Sequence, residues 1–97
     1  MKPITFHEQA RQELQSAVQY YEDAAPGLGK LFLHSVEQSL DKIVTHPLAF
    51  QRVDTAIHHK NLYRFPYRIV YVVESTRLRV LAIAHHKRKP GYWNYRT

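Results

Sequence analysis

Hydrophobic positions along the chain change period twice, from a short extended segment to two helices and then to strands. Ile4-Thr5-Phe6 favours extended backbone and predicts a short N-terminal strand. From Glu8 onward, Ala10, Leu14, Ala17, Val18, Tyr21, Ala24 and Ala25 recur at intervals of three and four, the single stripe of an amphipathic helix. Glu8 and Glu13 lie toward its N-terminal end, where the helix dipole favours acids. Pro26-Gly27 breaks the pattern, and Gly29 keeps the corner loose. A second stripe of Leu28, Leu31, Phe32, Val36, Leu40, Ile43 and Val44 predicts a helix from Leu28 to Thr45, ended by Pro47. So short a link makes the two helices an antiparallel hairpin.

After a loop over 47–55 the period becomes two. Ala56 to Tyr63 is a weak, polar strand suited to an edge or a cleft. Pro66 to Glu74 is the strongest strand, with Tyr67, Ile69, Tyr71 and Val73 on one face and Arg68, Val70, Val72 and Glu74 on the other. Ser75-Thr76-Arg77 is a turn, and Leu78 to His85 returns. The expected architecture is a single α+β domain over 1–97: a short strand, a helical hairpin, a three-stranded antiparallel sheet and a basic C-terminal tail. No internal repeat or low-complexity segment interrupts it.

Length and composition narrow the chemistry. Ninety-seven residues suit one hydrophobic core. The absence of cysteine excludes disulfides, thiolate metal sites and a cysteine nucleophile. No apolar run is longer than that from Ile69 to Val73, far short of a membrane span, and the N-terminus lacks a signal-peptide pattern, so a cytoplasmic protein that does not engage the membrane is expected. Glycine occurs only at 27, 29 and 91, which excludes a phosphate-cradling glycine loop; no serine has a nucleophile-elbow context, and paired carboxylates are missing from the second half. No cofactor is expected. The pairs His58-His59 and His85-His86 point to opposite faces of their strands, so neither chelates, and no metal site is expected either.

The formal charge of +6 is polarised: residues 1–50 carry four Lys/Arg against six Asp/Glu, and residues 51–97 carry ten against two. This distribution points to a polyanionic partner, nucleic acid foremost, with a solvated charged surface as the alternative. A hairpin about 75–77 brings Arg64, Arg68, His86 and Arg88 to one end of the sheet, where guanidinium groups can grip phosphate. Lys87 and Lys89 add charge, and Tyr92, Trp93 and Tyr95 either stack on bases or fold the tail onto the sheet. Metal-free RNA cleavage there would use His85 or His86 as acid or base and Arg68 with Arg88 as cations over the phosphorane.

Several stretches in order resemble the RelE/ParE superfamily of toxins from bacterial type II toxin–antitoxin pairs. They are Glu13-Leu14 with Tyr20-Tyr21, Pro26-Gly27-Leu28-Gly29 with Phe32, and His46-Pro47 with Phe50. The most specific are Arg64-Phe65-Pro66-Tyr67-Arg68-Ile69-Val70-Tyr71 and the run from Val80 through His85-His86-Lys87-Arg88-Lys89-Pro90-Gly91-Tyr92-Trp93. The resemblance implies a toxin neutralised by a cognate antitoxin. ParE-like members act on DNA gyrase without being enzymes; RelE-like members cleave mRNA in the ribosome, through arginines whose matching positions here are Arg68 and Arg88. RelE-like members tend to carry lysines on the preceding strand, where this chain has His58, His59, Lys60 and Asn61. The long hairpin with its Pro-Gly corner is more similar to the ParE side. A ParE-like gyrase inhibitor is therefore expected, with a RelE-like ribonuclease and a plain nucleic-acid-binding module as alternatives. An acidic, partly disordered antitoxin segment is expected to cover Val18, Tyr20 or Leu33 on the hairpin and to shield Arg68 or Arg88.

Overall fold

A computed structural model describes residues 2–97. The chain runs β1 (Ile4–Phe6), α1 (Glu8–Ala24), α2 (Leu28–Thr45), β2 (Gln51–Arg52), β3 (Ile57–Asn61), β4 (Tyr67–Val73) and β5 (Leu78–His85), then a 3₁₀ turn at Asn94–Arg96. His7 caps α1, its ring Nδ1 accepting the Gln9 amide at 3.1 Å, and Glu8 occupies the first turn. Gly27, at φ +86°, makes the corner in the left-handed region that a side chain disfavours. It has no side chain to cap α2, so Glu22 reaches forward from α1 and accepts the amides of Gly27 and Gly29 at 3.0–3.1 Å.

Hairpin boundaries agree with the sequence pattern, but its stripe is displaced in α2. Leu31 is exposed, whereas Gly29, Ser35 and Ser39 face inward. At Gly29 the helices approach so closely that a Cβ there would lie 2.7 Å from the Val18 carbonyl oxygen.

The sheet is larger than expected: five strands in the order β1-β5-β4-β3-β2, not three. β1 pairs parallel to β5, with Ile4 opposite Leu78 and Phe6 opposite Val80, and the hairpin α1–α2 lies between β1 and the rest of the sheet in sequence. β2, within the stretch expected to be a loop, adds two residues antiparallel to β3. Strands this short have too little periodicity to be read from sequence. The other pairings follow the expected hairpins, with Asn61 opposite Arg68 and Arg68 opposite Ala84.

A bulge at Leu81 shifts the alternation of β5: Val70 pairs with Ala82, but Tyr71 pairs with Val80. Leu78 and Val80 therefore share the helix-facing core with Ile83, alongside Phe32, Val36, Ile43, Ile69 and Tyr71. Tyr21, Phe32, Phe65 and Tyr67 form an aromatic group at one end, with centroids 4.9–6.2 Å apart. On the opposite face Val70, Leu81, Ala82 and Ala84 form a second cluster, covered by Trp93 from the tail. No described helix is long and apolar enough to cross a membrane.

Candidate functional site

β1 stops at Phe6, so it covers the edge of β5 only as far as Val80, continued by the His7 amide donating to the Val80 carbonyl at 2.8 Å. Beyond that point two side chains take the place of a strand. Arg96 Nη1 donates to the Leu81 carbonyl at 3.0 Å, and Glu13 Oε1 accepts the Ile83 amide at 3.1 Å. The two also pair with each other, at 3.0 Å (Nη1 to Oε1) and 3.1 Å (Nη2 to Oε2), and Tyr92 donates its hydroxyl to Glu13 Oε2 at 2.8 Å. Burial and this bond to an acid push the Tyr92 phenol well above its ordinary range. The clasp folds the tail back across the end of the sheet and defines two concavities.

The larger lies between α1 and the end of β5, a groove of about 770 Å³. Ala17, Tyr67 and Ile83 form its apolar wall, and Tyr20, His85 and Arg88 stand at its border. Tyr20 is 68 % exposed, its ring packed edge-on to Tyr21. Of the other hairpin residues expected to meet a partner, Val18 is half-buried against the core, and Leu33 is only marginally exposed. Neither borders this groove.

The smaller concavity, about 110 Å³, lies on the outer face and is lined by Arg68, His86, Arg88, Lys89 and the tail aromatics. Three of the four residues expected to converge, Arg68, His86 and Arg88, do so here, joined by Lys89. Arg64 does not. It occupies the β3–β4 loop at φ +74°, its guanidinium 5.3 Å from the Tyr63 ring, beside a separate hollow with Leu28, Leu31 and Phe65. Lys87 is exposed and donates its backbone amide to His85 Nδ1 at 3.0 Å. His85 borders both concavities, its ring packed edge-on to Tyr67, whereas His86 is exposed and lines the outer pocket alone.

The tail aromatics hold structure. Trp93 is 7 % exposed within the second cluster, and the Tyr92 ring carries the Arg88 guanidinium at 3.8 Å. Neither ring presents a free face for base stacking; of the three tail aromatics only Tyr95 is exposed.

Sequence patterning passed over a polar chain beside Arg68. Pairing places Gln51 opposite His59, and His59 shares the outer face with Arg68. Arg68 Nη1 lies 3.3 Å from His59 Nδ1, and His59 Nε2 lies 3.0 Å from Gln51 Oε1. A guanidinium only donates, so Nδ1 accepts and Nε2 carries the proton given to Gln51. Burial, then the charges of Arg68 and His86, hold the His59 pKa below its ordinary value and keep this neutral tautomer. Arg68 Nε is enclosed without a partner among the described residues. Arg79 Nε and Arg96 Nε are enclosed in the same way, and an unsatisfied buried donor costs about 1–3 kcal/mol. The register that makes His59 a neighbour of Arg68 was implicit in the predicted strands; the Glu13–Arg96 pair, 83 residues apart, left no local sign.

Among solved structures, the "Chromosomal ParDE TA system from P. aeruginosa" has a similar fold, with a TM-score of 0.63, 14 % identity, and coverage of 88 % of this chain and 96 % of that one. A stretch of 77 residues is 38 % identical to Topoisomerase 1-associated factor 1 of Neurospora crassa; it takes in 79 % of this chain but spans only 5 % of that protein's length. The family described as "ParE toxin of type II toxin-antitoxin system, parDE" matches residues 4–90, from β1 through the basic run after β5. That match takes in the hairpin, the sheet and Arg68 and Arg88 together, and the chain belongs to the ParE toxin family of type II toxin–antitoxin systems.

Proposed function

We propose that this chain arrests growth by binding DNA gyrase and blocking supercoiling, without itself being an enzyme, and that a cognate antitoxin neutralises it. Membership of the ParE family over residues 4–90 carries this reading. The groove beside α1 supports the antitoxin half. Its apolar wall, the exposed Tyr20 ring and Arg88 at the border suit an amphipathic acidic segment that folds as it docks. Such a segment would reach Arg88 but not Leu33. In a supercoiling assay, purified toxin at micromolar concentration should block conversion of relaxed plasmid by gyrase, and adding the antitoxin should restore it. Unchanged supercoiling would refute the gyrase reading.

One observation favours a second reading, a ribosome-dependent mRNA endonuclease: Arg68, His86 and Arg88 border one pocket. Against it, the Arg88 guanidinium rests on Tyr92 and His85 Nδ1 is occupied by the Lys87 amide. Mapping mRNA 5′ ends in a translating extract separates the two readings, since only the endonuclease makes new ends that disappear with Arg68→Ala. A plain nucleic-acid-binding module would instead bind free RNA or DNA with steep salt dependence.

A further inference from the structure

We propose that the free edge of β2 is where this toxin grips its protein target: an extended segment of that target, carrying an apolar side chain flanked by carboxylates, adds as a further strand beside Arg52. This rests on the reading that the toxin acts by binding a protein.

β2 is the outermost strand on its side of the sheet. The Val53 amide donates to the Ile57 carbonyl at 2.7 Å, so antiparallel alternation makes Arg52 and His58 a non-hydrogen-bonded pair. The N–H and C=O of Arg52 therefore point away from β3, where no described backbone group meets them. Beside this edge lies a hollow of about 480 Å³ walled by Leu48, Phe50, Ala56 and Val73, and no helix residue lines it. Leu48 is 72 % exposed. The wall is fixed from beneath. His58 donates Nδ1–H to the Phe50 carbonyl at 2.9 Å and stacks on Tyr71, whose hydroxyl donates to the Pro47 carbonyl. Strand addition needs this combination, since main-chain bonds give affinity and a pocket for alternate side chains gives selectivity.

Charge decides what the segment carries. Arg52 borders the hollow, and Lys60 lies over the Phe50 ring at 5.3 Å. Burial, then the nearby charge of Lys42, lowers the Lys60 pKa. None of the three cations forms an ion pair among the described residues, and no acid lines the hollow. Cations around an apolar hollow complement an apolar side chain with carboxylates beside it. Position separates this segment from the antitoxin, whose groove lies at the β5 side of the sheet, with β4 and β3 between. A second copy of this chain is a poor occupant, because two β2 edges paired about Arg52 would set like charges opposite each other.

The probe is a fluorescein-labelled peptide, Thr-Glu-Thr-Leu-Thr-Glu-Thr, whose alternation puts the leucine and both glutamates on one face. Titrated with the full chain, its polarisation should rise saturably, and the version with lysine for glutamate should bind at least tenfold more weakly. Arg52→Pro removes the outward N–H without breaking a bond to β3 and should weaken the peptide at least tenfold, with the thermal midpoint monitored. Leu48→Asp, at a position too exposed to threaten the fold, should do the same. Lys30→Gln, a loss of charge on the exposed surface of α2 away from the hollow, should leave the affinity unchanged.

The same variants identify the source. In the supercoiling assay, Arg52→Pro and Leu48→Asp should raise the toxin concentration for half-inhibition at least tenfold, with antitoxin affinity unchanged. No saturable binding of the peptide, equal binding of its lysine version, or full inhibition of supercoiling by both variants overturns the proposal. So does loss of antitoxin binding in the two variants, which would assign the edge to the antitoxin. Loss of a wild-type dimer in sedimentation would assign it to a second copy and overturn the proposal equally. The peptide is measured without gyrase, so a wild type that binds it but leaves supercoiling unchanged refutes the gyrase reading and supports the strand site.

Discussion

Removing the Glu13 carboxylate should be the most damaging single change on the surface of α1. In Glu13→Ala, Arg96, whose side chain is 5 % exposed, loses both ion-pair contacts, and the Ile83 amide and Tyr92 hydroxyl lose their acceptor. Breaking a buried ion pair from one side costs about 3–5 kcal/mol, because the remaining charge is left uncompensated. The orphaned amide contributes within that figure and is not added to it, since the four groups form one network. A domain of 97 residues has roughly 5–15 kcal/mol in total, so up to half or more is at stake. At about 4–8 °C per kcal/mol the thermal midpoint should fall by about 12–40 °C. Urea unfolding followed by Trp93 fluorescence measures it, and the emission of the folded variant should shift red as the tail loosens. Glu13→Gln keeps an acceptor for Ile83 and should lose less. Arg96→Met should rescue much of Glu13→Ala in the double variant, because no bare charge remains buried. A loss below about 1 kcal/mol for Glu13→Ala, or strict additivity with Arg96→Met, would falsify the view that these two side chains close the sheet edge.

Gly29→Ala should destabilise by about 1–3 kcal/mol despite the better helix propensity of alanine, because the new Cβ meets the Val18 carbonyl oxygen at 2.7 Å; circular dichroism melting checks it, and a stabilised variant would mean the helices separate freely. Tyr71→Phe should cost about 0.5–1.5 kcal/mol in urea unfolding, since the Tyr71 hydroxyl donates to the Pro47 carbonyl at 2.6 Å and burial has pushed its pKa up to about 12. His59 should make stability rise with pH. Its folded pKa lies below the ordinary 6.5, so the unfolded chain binds the extra proton first; the contribution is complete above 6.5 and is lost as pH falls through that value toward the folded pKa. His59→Gln should flatten this part of the stability profile between pH 7.5 and 5, and an unchanged profile would remove His59 as its source.

How much was legible before the fold was known differs by element. The helices and the strands β3 to β5 were readable because each is long enough to repeat its period: 17 and 18 residues of helix, and strands of five to eight. β2 is two residues long and carries no period. β1 was readable as a strand, but its parallel seat beside β5 was not, since nothing local in Ile-Thr-Phe specifies a partner more than 70 residues away. The same limit applies to the site. Arg68 and Arg88 could be placed near each other because a tight turn joins their strands. Arg64 was misplaced because its own left-handed backbone turns the loop toward α2.

By itself, the sequence determined the helical hairpin, the antiparallel β3–β5 meander and the basic character of its open end, because all three depend on local periodicity and short connections. Only tertiary structure decided the function of the tail. Trp93 reads equally well as a base-stacking platform or as a core residue until an apolar cluster on the outer face is seen to receive it. Arg96 reads as one more positive charge until Glu13 is found beside it. The reason is that β1 ends at Phe6 and leaves the edge of β5 bare from Leu81 to Ile83, and a bare buried edge must be paired by something. The chain meets that demand with two side chains from its opposite ends, so part of its formal charge is structural.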